Sequence, residues 1–184
     1  MLILLPPSET KTQPGSGDPV QLQELSLPQL DDDRLRVLAA LEKVSGQRNA
    51  LEALGVGASL APEVQRNLSL RTEPAAPALQ IYTGVLYDAL DASSLPDAAL
   101  SRLAVGSALF GLVRATDCVP RYRVSGGSKV RGRTMKAWWG TSVSDVLAQQ
   151  DFVVDLRSGA YQQLGPVPRA VTVRVEQADT GKVV

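Results

Sequence analysis

Seven basic side chains fall between Arg114 and Lys136, namely Arg114, Arg121, Arg123, Lys129, Arg131, Arg133 and Lys136, against a single acid, Asp117. The planar guanidinium of arginine matches phosphate oxygens two at a time, and phosphate contacts dominate nucleic-acid affinity. Tyr122, Trp138 and Trp139 add aromatic faces, and Gly126, Gly127 and Gly132 let backbone lie close to a ligand. The chemistry this mixture favours is capture of an anion. The competing account is a solvated loop whose arginines pair with acids elsewhere in the same chain.

The rest of the chain leaves both accounts open. Lys+Arg number 19 and Asp+Glu number 19, so the 184-residue chain is formally neutral. Residues 1–100 hold seven basic and thirteen acidic side chains, whereas residues 101–184 hold twelve and six. Such a division gives a dipolar molecule with one face attractive to a polyanion.

Other spacings carry weaker chemistry. Leu51-x-x-Leu54-Gly55-Val56-Gly57-x-x-x-Ala61 has the spacing of a helix-hairpin-helix core, in which Gly55 and Gly57 would let backbone approach a phosphate. A plain helix–glycine–helix corner produces the same pattern, and Ala58-Ser59 lacks the basic residue such motifs usually place after the second glycine. Ser8-x-x-Lys11 matches the Ser-Lys spacing of penicillin-binding enzymes, but their companion motifs are missing. With no histidine there is no Ser-His-Asp triad, no Cys-His pair and no His-ligated metal. The single cysteine, Cys118, excludes an internal disulfide and fits a reducing cytoplasm. It reads as a small packed thiol, although Arg114 and Arg121 nearby would lower its pKa. No catalytic residue, metal ligand or cofactor is assigned.

These residues need elements to position them. Leu2–Leu5 reads as a buried first strand rather than a membrane span or signal peptide, and runs into Pro6-Pro7-Ser8. Asp31-Asp32-Asp33 opens a helix carrying Leu35, Leu38, Leu41 and Val44 inward. Helices follow over about 47–54 and 60–68, then a proline-flanked linker at 75–78. Ser94 with Asp97 would cap a helix carrying Leu100 and Leu103. A buried strand over 104–110, one helix over 136–149, a strand over 151–156 and a half-buried strand over 170–176 complete the reading. Thr180-Gly181-Lys182-Val183-Val184 reads as a turn and a return strand cut short, as in an incomplete protein. The loop after the first strand and the Arg157–Tyr161 loop after a later one are good ligand positions.

In their order along the chain, six blocks resemble the YaaA family of peroxide-stress proteins. They are Met1–Lys11, Tyr82–Tyr87, Leu109–Asp117, Pro120–Arg123, Trp139-Gly140 and Val154–Tyr161. The resemblance implies a single mixed α/β (α+β) domain of the cantaloupe type. It also implies DNA binding through a positive cleft with a helix-hairpin-helix element, and protection against hydrogen peroxide linked to limiting free iron. By position, Lys11, Arg114, Tyr122 and Arg123 would line that cleft, with Ser8, Ser158 and Tyr161 beside them. Phe110 stands where the family often has tyrosine, and Ala115-Thr116 interrupts an Arg-Pro-x-Asp pattern.

The expectation is a cytoplasmic stress protein that binds duplex or structured DNA through phosphates, with low sequence specificity and no membrane association. Its contacts would be Lys11, Gly55, Gly57, Arg114, Arg121, Tyr122, Arg123, Arg131, Arg133 and Lys136. The alternative is an enzyme or small-ligand binder that takes a phosphorylated or nucleotide-like anion near Ser8, Lys11, Arg114, Arg123, Ser158 and Tyr161.

Overall fold

A computed structural model describes residues 1–173. In chain order the strands are β1 (Leu2–Leu5), β2 (Ala75–Pro77), β3 (Leu103–Ser107), β4 (Gly111–Arg114), β5 (Cys118–Pro120), β6 (Lys129–Val130), β7 (Arg133–Thr134), β8 (Val153–Asp155) and β9 (Val171–Thr172). The α-helices are α1 (Asp31–Ser45), α2 (Ala50–Leu54), α3 (Ala61–Arg66), α4 (Ala78–Ile81), α5 (Val85–Leu90), α6 (Asp97–Leu100), α7 (Met135–Trp139), α8 (Ser142–Ala148) and α9 (Gly159–Gln162). The architecture is mixed α/β.

The central sheet has the order β4-β3-β1-β8-β9. β1 sits in its middle, parallel to β3 on one side and to β8 on the other, with Ile3 opposite Leu103 and Val154. That position explains why Leu-Ile-Leu-Leu is apolar without alternation, since a parallel strand covered on both faces has no wet side. β3 is buried at every residue for the same reason. β4 returns antiparallel after a tight turn that ends at Gly111, whose φ is +71°. A Cβ there would lie 2.8 Å from the Trp139 ring, so the turn requires glycine by conformation and by space.

The structure corrects several local expectations. Leu35 is 42% exposed, and the buried stripe of α1 is Arg34, Val37, Leu38, Leu41 and Val44. The guanidinium of Arg34 takes the inward place because it satisfies four oxygens there: Asp31 Oδ1 at 2.9 Å and the carbonyls of Ser26 (2.8 Å), Phe110 (3.2 Å) and Leu112 (2.8 Å). The 75–78 linker is instead strand β2, antiparallel to β5. Leu103 lies in β3 rather than on the helix before it, and that helix has no side-chain cap. The strand expected over 104–110 ends at Ser107, and the basic stretch enters through β4 instead of a loop. The helix expected over 136–149 breaks into α7 and α8 at Gly140, which has φ +53°. Trp139, Val143, Val146 and Leu147 do face the core. β9 is exposed rather than half-buried; the remainder of the 170–176 strand and the 180–184 turn lie outside the described residues.

Candidate functional site

The chain leaves β1 in one direction, towards β3, and leaves β8 in the other, towards β9. Between β1 and β8 there is therefore a switch in winding, and ligand crevices in open α/β sheets form outside the strand ends at such points. The loops expected to carry chemistry, Pro6–Lys11 and Arg157–Tyr161, both lie at that end.

The second loop is fixed by a buried ion pair. Arg157 donates through Nε to Asp155 Oδ1 at 2.9 Å and through Nη2 to Asp155 Oδ2 at 2.8 Å. Its remaining donors reach the carbonyls of Tyr161 (3.2 Å) and Gly165 (2.8 Å). Ser158 is exposed at the start of α9, whereas Tyr161 is buried, with Ala160 and Tyr161 packed against Gly126.

The first loop turns back so that Lys11 is only 7% exposed. Its Nζ donates to the carbonyl of Ser8 at 2.9 Å and stands 4.4 Å from the ring centre of Tyr122 and 5.4 Å from that of Tyr82. The Ser8 hydroxyl points elsewhere, accepting from the Thr83 amide at 2.9 Å and donating to the Thr10 carbonyl. A Ser-Lys nucleophile pair is thus not formed. Behind the lysine, the Tyr122 hydroxyl is shared with Tyr82 at 2.9 Å and Ser107 at 2.8 Å.

Arg121 and Arg123 close the outer side of Lys11, and each meets an acid of the N-terminal half. Arg121 Nη2 bonds Glu63 at 2.8 Å; Arg123 Nη1 lies 3.2 Å from both the carboxylate and the carbonyl of Glu9. Fully buried Asn67 holds the Arg123 backbone through both its amide groups. The Nε atoms of both arginines are buried without a partner among the described residues. Arg114 is not part of this group: it pairs with Ala104 near the opposite end of the sheet and donates to the Ser101 carbonyl at 3.2 Å. Tyr122 is 2% exposed, and its place is under the site rather than on its surface.

Burial, the largest cause, pulls the Lys11 ammonium from 10.5 down to about 8, with the Arg123 and Arg121 charges adding to it and Glu9 and Glu63 opposing. In the unfolded chain the same lysine keeps its proton to about pH 10.4. Between these values the unfolded chain binds the extra proton, so stability rises with pH. Below pH 8 the full cost of the buried ammonium is present. Tyr82, Tyr122 and Tyr161 act oppositely: burial raises each, so stability falls once unfolded tyrosines ionise above about pH 10. Urea unfolding should therefore show a gain of about 2 kcal/mol from pH 8 to pH 9.5, and the Lys11→Met variant should lose that rise.

A second group forms on a different face. Gly55, with φ +68°, closes α2: Val56 N–H reaches the Leu51 carbonyl at 2.9 Å and Gly55 N–H the Glu52 carbonyl at 3.0 Å. Gly57 is extended, and a 3-10 turn at Ala58–Leu60 leads into α3. The strands β6 and β7 lie against this corner, since Ser128 Oγ donates to the Leu54 carbonyl at 3.2 Å. Between them is an open cavity of about 430 Å³ lined by Glu52–Gly55, Ser125 and Gly127–Lys129. Lys129 lines it, and Lys129, Arg131, Arg133 and Lys136 are all exposed and make no ion pair among the described residues. The Arg133 guanidinium rests 5.0 Å from the Trp138 ring centre.

Cys118 is exposed rather than packed, and burial, with Asp117 and Glu24, pushes its pKa up rather than down. Among the described residues no group of three or more acids or cysteines is placed to hold a metal, and no helix is long and apolar enough to cross a membrane. Sequence reasoning missed Arg34, Asp155 and Asn67. Arg34 had a legible signal, standing four and seven residues before Leu38 and Leu41; Asn67 had none.

Compared with known protein families, residues 1–184 match the model described as peroxide stress protein YaaA. A UPF0246 protein of Corynebacterium efficiens is 56% identical over 182 residues, 96% of this chain and 74% of the relative. One from Corynebacterium glutamicum is 54% identical over the same shares. One from Streptomyces coelicolor is 45% identical over 199 aligned positions, covering 100% of this chain and 76% of the relative.

Proposed function

The chain belongs to the family of peroxide stress protein YaaA, and from that premise we propose that it serves the peroxide stress response by holding DNA through the phosphate backbone. The observation that carries the reading is the docking of the basic strand pair on the helix–glycine corner through Ser128 and Leu54. That contact brings Lys129 beside the Gly55 turn, and Arg131, Arg133 and Lys136 follow it along the strand pair, all four without a carboxylate partner among the described residues. Arg121 and Arg123 belong to a different category. Their charges are already met by Glu63 and Glu9, so they contribute little to long-range attraction.

The test is a salt titration of binding to duplex DNA, read by fluorescence anisotropy. Each neutralised phosphate contributes a slope of about −0.9 in log K against log salt, so four contacts give a slope near −4 and a loss of about 10²-fold between 50 and 200 mM salt. A slope near zero, or no binding at low salt, removes the reading.

A second reading is favoured by one observation, the buried ammonium of Lys11 at the switch point, its pKa lowered to about 8, with buried arginine Nε atoms beside it that lack a partner among the described residues. There the ligand is a small phosphorylated anion. In that case inorganic pyrophosphate should slow amine modification of Lys11, whereas a DNA surface at the basic strand pair leaves Lys11 unaffected.

A further inference from the structure

The two residues joining β6 to β7 are Arg131 and Gly132, with φ +52° and +75°. Val130 pairs with Arg133 directly across them. Two successive positive φ values in a two-residue connection are the pattern of a type I′ hairpin, whose first position is normally filled by Asn, Asp or Gly. Arg131 carries a Cβ and a long side chain into a conformation that L-residues avoid. A strained choice persists where the side chain is needed.

The base of the hairpin is held tightly. Val130 is fully buried, its carbonyl accepts from Trp138 Nε1 at 3.1 Å, and Thr134 Oγ1 caps α7 by accepting from the Ala137 amide at 3.2 Å. Arg133 is tied down on Trp138. The tip is bare: Gly132 has no side chain, and Arg131 is exposed with no hydrogen bond or ion pair among the described residues. One free guanidinium thus projects from a rigid two-stranded support, with Lys129 on one strand and Lys136 just after the other.

We propose that Arg131 enters the minor groove of duplex DNA while Lys129 and Lys136 meet phosphates on its two sides. The proposal rests on the DNA reading above and adds the groove and the base composition it favours. A narrow A·T-rich minor groove focuses negative potential and accepts a single arginine side chain. Major-groove readout instead uses several side chains from a helix or a longer ribbon, and the tip of this hairpin presents one, Arg131.

The experiment uses the full chain with Arg131→Asn, and Arg131→Gly as a second variant, because both residues suit positive φ. Thermal midpoints should be unchanged or higher. Affinity for a 20-bp A-tract duplex should fall about tenfold or more, and for a G·C duplex of equal length by about threefold, the share of a lost general charge. Netropsin, a minor-groove ligand, should compete with the wild-type chain on the A-tract. Unchanged A-tract affinity in both variants, or equal losses on the two duplexes, overturns the assignment while leaving backbone binding in place. Absence of wild-type binding to either duplex overturns the backbone reading and this one with it.

Discussion

Replacing Arg34 by alanine should lower the unfolding free energy by about 3–5 kcal/mol, enough to leave the chain largely unfolded at moderate urea. The guanidinium is fully buried, and it joins three parts of the chain: the Ser26–Asp31 segment, helix α1 and the β3–β4 turn at Phe110–Leu112. Its removal leaves a cavity and three carbonyls with fewer partners, and each buried unsatisfied group costs about 1–3 kcal/mol. Arg36 is the internal control. Its side chain is 66% exposed in its pair with Asp33, so Arg36→Ala should stay within about 0.5–1 kcal/mol of wild type. Urea unfolding followed by circular dichroism measures both. A loss below about 1 kcal/mol at Arg34 would mean that neighbouring groups re-satisfy those carbonyls.

The second large effect is functional. Neutralising the four exposed cations together, as Lys129→Gln, Arg131→Asn, Arg133→Gln and Lys136→Gln, should weaken duplex DNA binding by about 10²-fold or more at low salt and flatten the salt slope by about three to four. Stability should hardly change, because these side chains are exposed and the buried anchors of the hairpin, Val130 and Met135, are retained. Arg121→Gln is the comparison. It removes a charge from the same stretch of sequence, but one already paired with Glu63, so its effect on affinity should be several-fold at most. If Arg121→Gln proved as damaging as the fourfold change, the binding surface would lie over Lys11 rather than at the hairpin.

The contrast between these cations shows what the sequence could and could not convey. The excess of arginine and lysine over 114–136 was plain, but which charges were free was not. That depended on Glu9 and Glu63, which lie more than fifty residues away in the chain and reach Arg123 and Arg121 only through the fold. β1 and β8 were legible because short apolar runs bounded by turn residues have few other fates. The convergence of their following loops needed the strand order, which no local pattern carries. β2 looked like a linker since Ala-Ala-Pro has little strand preference; its pairing with β5 is a tertiary gain. The burial of Arg34 was not anticipated, because an arginine is rarely buried unless its whole fork is satisfied.

The central place of β1 also fixes the order of events in making the protein. Its four residues are synthesised before their partners, Leu103–Val105 and Val153–Asp155, which lie about one hundred and one hundred and fifty positions later. A sheet closed by such distant pairings has a high contact order, so its nucleus pays a large loop-closure entropy and folding belongs in the slow, millisecond-to-second range. On the ribosome, Leu-Ile-Leu-Leu waits without its eventual neighbours while about one hundred residues are added, an apolar strand with both edges unpaired. The growing chain should therefore depend on chaperone protection until β8 has emerged, and should be most prone to aggregation in that interval.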